Sequence, residues 1–278
     1  MCADFSYNKN APMVPFLHIG PVEVPTFGLM VALAMLVAFF VLRADMARRG
    51  IATKESGAAE AFIAIPCLAG IAGAKIYHVL QTPRELLAHP FAEIFSRYGL
   101  AWFGGLIAGV GAFAWLAHMR KIPLLDMFDA GSTAAALGYG VGRIGCLLSG
   151  DGDYGVPTSL PWGMSFPHGL VPTDQRVHPT PLYELAAACL ISWVLWRLGG
   201  KQVQGRPAKS GASADSRLPS GGVFAAYLVL TGVARFLVEF IRINPRSFLG
   251  MTNAQAASVL SILAGGILWW RLRRRGIT

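Results

Sequence analysis

Residues 142–155, with the sequence GRIGCLLSGDGDYG, place Arg143 near the end of a long apolar run and two aspartates just beyond it. An ionised side chain in apolar surroundings is costly, so it usually faces a partner or a cavity. The guanidinium of arginine is always charged, and its planar fork matches the oxygens of a phosphate. This stretch therefore predicts an anion-binding site at the end of an apolar segment.

A second charged pair lies in another apolar segment, where Arg235 and Glu239 are four residues apart. This spacing puts both side chains on one helix face, where they can pair. Lys75, Arg143 and Arg235 all lie toward corresponding ends of their segments. Two arginines beside a cavity open to lipid would suit a phospholipid phosphate. The alternative is that each arginine extends to the surface or pairs with a nearby acid such as Glu239 or Asp151.

The composition indicates which elements position these charges. The 278-residue chain is 54% hydrophobic and only 14% charged, which is outside the range of soluble domains and typical of membrane proteins. Seven apolar stretches have roughly the 20 residues that a helix needs to cross a bilayer. They are residues 27–44, 58–80, 101–118, 125–149, 182–198, 221–241 and 254–271. We expect an all-α, polytopic helical bundle with about seven transmembrane helices.

The basic residues predict the orientation of this bundle. Fifteen lysines and arginines flank the spans on one side and six on the other, and the richer side is normally cytoplasmic. The N-terminus is therefore expected outside and the C-terminus in the cytoplasm. This asymmetry and attraction to anionic lipid explain the net charge of +9, so no nucleic-acid partner is expected.

We expect residues 1–278 to form a single membrane domain with three polar segments. Residues 1–26 are expected to be an extracytoplasmic tail and residues 150–181 an extracytoplasmic loop. Residues 201–220, rich in Gly, Ser, Pro and Lys, predict a flexible cytoplasmic linker. The four cysteines lack metal-ligand spacing, and the Asp-Gly-Asp at residue 151 lacks the other ligands of a calcium loop. No metal and no cofactor are therefore expected.

Several motifs, in the same order along nearly the whole chain, resemble those of the prolipoprotein diacylglyceryl transferase family. The segment at residue 142 resembles the family's Gly-Arg-x-Gly-Asn signature, which is followed by an acidic residue and a glycine. Four further segments are similar to family motifs: FGLMVALAML from Phe27, FGGLIAG from Phe103, HPTPLYE from His178 and ARFLVEFIR from Ala234. Gln255 resembles the glutamine that opens the family's last span.

The resemblance implies a multi-pass enzyme of the bacterial inner membrane. Such an enzyme moves the diacylglyceryl group of phosphatidylglycerol onto the lipobox cysteine thiol of a lipoprotein precursor and releases glycerol phosphate. The expected partners are phosphatidylglycerol, lipoprotein precursors with a lipobox cysteine and membrane lipid, and a monomer is expected.

By motif position, the resemblance also implies the roles of particular residues. Arg143 and Arg235 would hold and stabilise the phosphate, Glu239 would orient Arg235, and Asp151 would take the family's acidic position. The substrate-binding positions would be Arg143, Arg235, Gly104, Gly105, Cys146, Gly155, His178, Tyr183 and Glu184.

Three positions depart from the family pattern. Phe103 stands at the family's histidine position, Phe27 at its first-span tyrosine and Cys146 at its signature asparagine. A phenyl ring neither accepts a proton nor donates a hydrogen bond, so those two roles do not carry over. His78, His178, Tyr77 and Asp151 are candidate substitutes.

These departures leave alternatives open. The chain is expected to be an active transferase of a divergent branch. The alternative is a non-catalytic relative that binds phospholipid or lipoprotein precursors. A lipid or anion transporter would predict a symmetric internal repeat, and the sequence shows no such repeat.

Overall fold

The computed structural model describes residues 13–51, 58–95, 101–204, 218–246 and 250–275. The helices in these ranges are α1 Thr26–Arg48, α2 Ala58–Gln81, α3 Pro83–Ala88, α4 Pro90–Phe95, α5 Trp102–Met119, α6 Leu124–Ser149, α7 Thr180–Gln204, α8 Gly222–Val238 and α9 Asn253–Arg275. The strands are β1 Phe16–Ile19, β2 Val22–Pro25, β3 Met164–Phe166 and β4 Thr173–Val177. Each strand pair is an antiparallel hairpin.

The helices account for all seven predicted apolar stretches. Five of them, α1, α2, α5, α7 and α9, are long and apolar enough to cross a membrane, whereas α8 is a shorter apolar helix. Large apolar side chains are exposed along them, for example Leu80, Ile107 and Leu260. So much exposed apolar surface would promote aggregation in water, whereas it is expected on helices that contact lipid. The chain is thus a multi-pass, helical membrane protein.

Two of the predicted polar segments contain short antiparallel strands. The predicted tail contains the hairpin β1–β2, and residues 1–12 of it lie outside the described residues. The predicted loop 150–181 contains the hairpin β3–β4. The predicted linker begins too early, since α7 continues to Gln204, and most of its remainder, residues 205–217, is not described.

The chain divides into two compact units, Met1–Val41 with Asp129–Thr278, and Leu42–Phe128. In the unit formed by residues 42–128, α2 and α5 pack through glycines. A side-chain carbon on Gly104 would lie only 2.3 Å from the carbonyl oxygen of Gly73, and one on Gly105 would lie 3.2 Å from that of Gly70. Small residues at these positions let the two helix backbones approach closely.

In the other unit, a buried aspartate fixes the start of α8. The Asp129 carboxylate accepts hydrogen bonds from the backbone N–H groups of Gly221 and Phe224, each at 2.7 Å. It also accepts one from the Gln202 side chain of α7 at 2.6 Å. A carboxylate at a helix N-terminus satisfies unpaired N–H groups and complements the helix dipole. These bonds hold α6, α7 and α8 together at this end of the unit.

Candidate active site

The signature stretch ends α6 with a sharp turn. Gly150 adopts a positive φ of 58°, and its N–H donates to the carbonyl oxygen of Cys146 at 3.0 Å. Gly152 also has a positive φ, of 89°. Glycine takes this left-handed conformation without the steric cost of a side chain, and it commonly ends helices in this way. The turn directs Asp151 and Asp153 back toward the end of α6.

Arg143, on α6, contacts the oxygen atoms of three side chains within the same unit. Its Nε lies 3.2 Å from Glu184 Oε2, its Nη1 donates to Asp153 Oδ2, and its Nη2 donates to the Tyr139 hydroxyl at 2.8 Å. The guanidinium carbon also lies 4.7 Å from the centre of the Tyr139 ring, in cation–π contact. Asp151 was named as a possible partner of Arg143 in the alternative interpretation, whereas the loop aspartate that pairs with Arg143 is Asp153.

Glu184, on α7, joins the two predicted phosphate-binding arginines. Its side chain is 4% exposed, and Oε1 accepts hydrogen bonds from Arg235 Nη1 at 2.8 Å and from the Tyr139 hydroxyl at 2.6 Å. Its other oxygen faces Arg143. Arginines from α6 and α8 thus converge on one buried carboxylate.

The end of α8 supplies the remaining charges. Arg235 Nη2 pairs with Glu239 Oε2 at 3.0 Å, as the spacing of four residues predicts. Glu239 Oε1 accepts a hydrogen bond from the Asn244 amide at 2.6 Å. Arg242, just beyond the helix, lies 3.6 Å from Glu184 and 3.7 Å from Glu239. Arg235 is therefore held by Glu184 through one terminal nitrogen and by Glu239 through the other.

Asp153 lies between two arginines. One carboxylate oxygen pairs with Arg143 and the other with Arg242. Its backbone carbonyl accepts further hydrogen bonds from Arg242 at 3.2 Å and from the Thr180 hydroxyl. The loop after α6 is thereby fixed to the ends of α7 and α8. We call Arg143, Arg235, Arg242, Asp153, Glu184 and Glu239 the ion cluster.

Gly155 lies where this loop meets the chain after α8. Its N–H donates to the His178 carbonyl at 2.8 Å, and it forms a β-bridge with Arg242. A side-chain carbon on Gly155 would lie 2.4 Å from the backbone oxygen of Ile241. That separation is far below van der Waals contact, so only glycine fits between these segments without a backbone shift.

We expect Gly155→Ala to lower activity about 10-fold or more, because a backbone shift of this kind moves Asp153 and Arg242 relative to Arg143. The measurement is the rate of product formation, with the melting temperature recorded in the same detergent. Gly111→Ala is the matched control, since a side-chain carbon there meets nothing within 4 Å. Equal activities of the two variants would contradict the packing argument.

The two loop aspartates have opposite pKa shifts. Burial raises the pKa of Asp151 above its ordinary value of 3.8, and the negative charge of Asp153 raises it further. Burial alone would also raise the pKa of Asp153, but Arg242 and Arg143 outweigh it and lower that pKa. Asp153 is thus an ion-pair partner, whereas Asp151 is the more easily protonated of the two.

The ion cluster contains three arginines and three carboxylates, so the charges compensate each other. They are not equally accessible: the side chains of Arg235 and Arg143 are 25% and 16% exposed, whereas that of Arg242 is 6% exposed. Among the carboxylates, Asp153 is 28% exposed and the other two are 4% or less. An anion entering the cluster would therefore meet Arg143, Arg235 and the exposed side of Asp153.

The other residues predicted to bind substrate form no ion pairs among the described residues. The Tyr183 hydroxyl accepts a hydrogen bond from Trp162 at 2.7 Å and lies 3.1 Å from His178 Nδ1. Cys146 is buried, with its sulfur 3.5 Å from Arg143 Nη1. The described contacts of Gly104 and Gly105 are those with α2. Substrate contacts at these positions remain predictions.

Three residues of the arrangement were not among the predicted site residues: Tyr139, Asp153 and Arg242. The sequence carried a signal for each of them. Arg242 closes the ARFLVEFIR segment, and Asp153 is the second aspartate of the signature stretch. Tyr139 precedes Arg143 by four residues, a spacing that puts both on one helix face.

Cys146, Asp151 and Asp153 bring three potential ligand atoms within 4.8 Å of one another. Both carboxylate oxygens of Asp153 face arginines, and Arg143 also approaches the Cys146 sulfur. Cations at these positions oppose the binding of a metal ion, so the donor set gives no support to a metal site here.

Comparisons with known proteins agree with the motifs. The model of the family described as prolipoprotein diacylglyceryl transferase matches residues 15–271. A phosphatidylglycerol–prolipoprotein diacylglyceryl transferase of Geobacter sulfurreducens is 29% identical over 239 residues, covering 85% of this chain and 84% of the relative. Proteins of the same name from Verminephrobacter eiseniae and Clostridium tetani are 32% identical over 220 residues and 30% identical over 244 residues. These alignments cover 74% and 86% of this chain, and 73% and 89% of the relatives. This chain therefore belongs to the prolipoprotein diacylglyceryl transferase family.

Proposed function

We propose that this protein transfers the diacylglyceryl group of phosphatidylglycerol to the lipobox cysteine of a lipoprotein precursor. The observation that carries the proposal is the convergence of Arg143 and Arg235, from separate helices, on Glu184. Two guanidinium groups held at one carboxylate lie near enough to each other for one phosphate to contact both. The names of the relatives supply the substrates, and this cationic pair supplies a place for the phosphate.

The chemical step requires help at the departing oxygen. The sulfur of the cysteine forms a bond to the glycerol carbon that carries the phosphate, and the carbon–oxygen bond breaks. The electron pair goes to the phosphate oxygen, glycerol phosphate leaves, and the thiol proton passes to the released phosphate or to solvent water. Arg143 and Arg235 would stabilise the charge that develops on this oxygen, which is the largest catalytic contribution in many enzymes. Glu184 and Glu239 would hold the two guanidinium groups in place.

Phosphate binding would displace Asp153 from Arg143. The Arg143 fork is already engaged by Glu184, Asp153 and Tyr139. Asp153 is the most exposed of the three carboxylates in the ion cluster, and it keeps a second partner in Arg242. It is therefore the group that can leave Arg143 at the smallest cost when another anion arrives.

We expect Asp153→Asn to lower the KM for phosphatidylglycerol on the order of 3- to 10-fold, because the amide competes with phosphate less than the carboxylate does. The same change should lower the melting temperature at neutral pH, because Arg143 and Arg242 lose a charged partner. The measurements are initial rates in mixed micelles of varied lipid content, and thermal melts. A higher KM would mean that Asp153 helps to bind the lipid.

The stability difference between the wild-type protein and Asp153→Asn should depend on pH. Because its arginine partners lower the pKa of Asp153, its ion pairs contribute in full above the ordinary value of 3.8. This contribution is lost as the pH falls through the lowered pKa of the folded state. The two melting temperatures should therefore converge below about pH 4.

The function is tested with purified protein, phosphatidylglycerol and a lipobox peptide. We expect a thioether-linked peptide and glycerol phosphate in equal amounts. A peptide with serine in place of the cysteine is the control and should give neither product. Tight lipid binding without either product would instead favour a non-catalytic relative, in line with the phenyl rings at residues 27 and 103.

We also propose that α1, α2, α5, α6, α7, α8 and α9 each cross the membrane, with the N-terminus outside and the C-terminus in the cytoplasm. The excess of basic residues on one side of the apolar stretches supports this orientation. On this proposal the ion cluster belongs to the outer half of a single membrane domain. Thiol labelling of single cysteines in intact cells tests it: a cysteine at Thr158 should react with a membrane-impermeant reagent, and one at Arg273 should not.

We further propose that the protein lies in the bacterial inner membrane as a monomer, with lipid and lipoprotein precursors as partners and no nucleic acid. The inner membrane is where a phosphatidylglycerol donor and an emerging precursor with its lipobox would both be available. The mass of the protein measured in lipid nanodiscs tests this proposal, and it should correspond to one chain.

A further inference from the structure

Tyr139 connects two members of the ion cluster through one hydroxyl group. Its hydroxyl oxygen accepts a hydrogen bond from Arg143 Nη2 at 2.8 Å, and its O–H donates one to Glu184 Oε1 at 2.6 Å. A phenol has one proton, and a guanidinium can only donate. The Tyr139 proton is therefore directed to Glu184, and its lone pair accepts from Arg143. Both bonds involve a charged group, which makes them stronger than hydrogen bonds between neutral groups.

The tyrosine ring restrains the same arginine by a second contact. The Arg143 guanidinium carbon lies 4.7 Å from the ring centre, within the range of a cation–π interaction. Tyr139 itself is 37% exposed, so it is not a core residue kept for packing alone. Hydroxyl and ring together limit the rotation of the guanidinium group on α6.

We propose that Tyr139 is a positioning residue for the transfer reaction and keeps Arg143 oriented when phosphate replaces Asp153. The inference rests on the proposed function, in which Arg143 and Arg235 bind the phosphate. Once Asp153 leaves, Glu184 and Tyr139 remain as the oxygen partners that hold Arg143.

The neutrality of tyrosine is what suits it to this task. A further carboxylate would hold Arg143 equally well but would cancel the positive charge that the departing phosphate oxygen needs. A phenol orients the guanidinium group and leaves that charge available. Because Glu184 also binds Arg235, the Tyr139 hydroxyl helps to fix the relative orientation of both arginines.

The test is Tyr139→Phe, which retains the ring and removes only the hydroxyl. We expect kcat to fall roughly 10- to 150-fold, the range for losing a hydrogen bond to a charged group, with KM for phosphatidylglycerol changed less than about 2-fold. Tyr227→Phe is the matched control, since Tyr227 lies on α8 and its ring stacks on Phe224 rather than on a residue of the ion cluster. It should leave kcat unchanged.

A double-mutant cycle separates positioning from a general structural role. If Tyr139 acts through Arg143, adding Tyr139→Phe to Arg143→Lys should lower kcat by less than about 2-fold further. Equal losses in both backgrounds, or a wild-type kcat for Tyr139→Phe, would overturn the inference. Full activity of Arg143→Ala would instead overturn the proposed phosphate site. Melting temperatures of all variants identify any loss that comes from unfolding.

Discussion

Arg143→Ala is expected to lower kcat/KM for diacylglyceryl transfer on the order of 100- to 1,000-fold, by analogy with removal of a group that stabilises developing charge in other enzymes. Arg143 contacts Glu184, Asp153 and Tyr139, so its loss also removes the orientation of this part of the ion cluster. Rates of thioether formation measure the effect. The variant should still bind neutral diacylglycerol, because the lipid tails do not depend on the guanidinium group.

Phe103→Ala is the comparison for this variant. By motif position, Phe103 is expected to stand where the family has a histidine; a phenyl ring has no proton to exchange, so its removal should act mainly through packing and cost far less activity. Phe103→His would supply a base at the family's histidine position, and an increase in turnover would support that assignment. Normal thioether formation by Arg143→Ala would remove the basis of the proposed mechanism.

The long helices were predictable because a bilayer imposes a simple requirement on sequence. About 20 apolar residues are needed for each crossing; the seven apolar stretches all coincide with helices in the described residues, and five of those helices are long and apolar enough to span a membrane. The hairpins β1–β2 and β3–β4 were not predicted. Each has strands of five residues or fewer, too short for a clear alternation of apolar and polar side chains.

Part of the candidate site was predictable, because residues four apart on a helix lie on the same face. The pairing of Arg235 with Glu239 follows from helical spacing alone, and it is present at 3.0 Å. The choice between Asp151 and Asp153 does not follow from spacing, because both lie in a loop. The positive φ angles of Gly150 and Gly152 direct Asp153 to the arginines, and glycine permits many other backbone conformations.

The sequence also did not predict which charged residues from distant segments pair with one another. Glu184 was predicted from its motif position, but nothing local to α7 indicates that arginines from α6 and α8 meet at its carboxylate. Such convergence depends on how the helices pack. It explains how several arginines can be kept in apolar surroundings, since a buried charge is tolerated when it is paired and hydrogen-bonded.

Glu184→Gln is expected to lower kcat at least about 100-fold, because misplacing catalytic groups by as little as 1 Å can have this effect. The Glu184 carboxylate is 4% exposed and faces three arginines, at 2.8 Å, 3.2 Å and 3.6 Å. A neutral amide of the same size would leave them with one negative charge fewer. Removing one partner of a buried ion pair costs about 3–5 kcal/mol, so the melting temperature should also fall.

Binding of phosphatidylglycerol should distinguish the Glu184→Gln variant from a variant that loses an arginine. With one carboxylate fewer, the cluster becomes more positive, so phosphatidylglycerol should bind as tightly as to the wild-type protein or more tightly, although turnover is lost. Arg143→Ala should weaken both binding and turnover. Glu60→Gln is the control, because Glu60 is exposed on α2 and its replacement should change neither quantity. Weaker lipid binding by Glu184→Gln, with the fold intact, would show that Glu184 contacts the substrate itself rather than positioning the arginines that do.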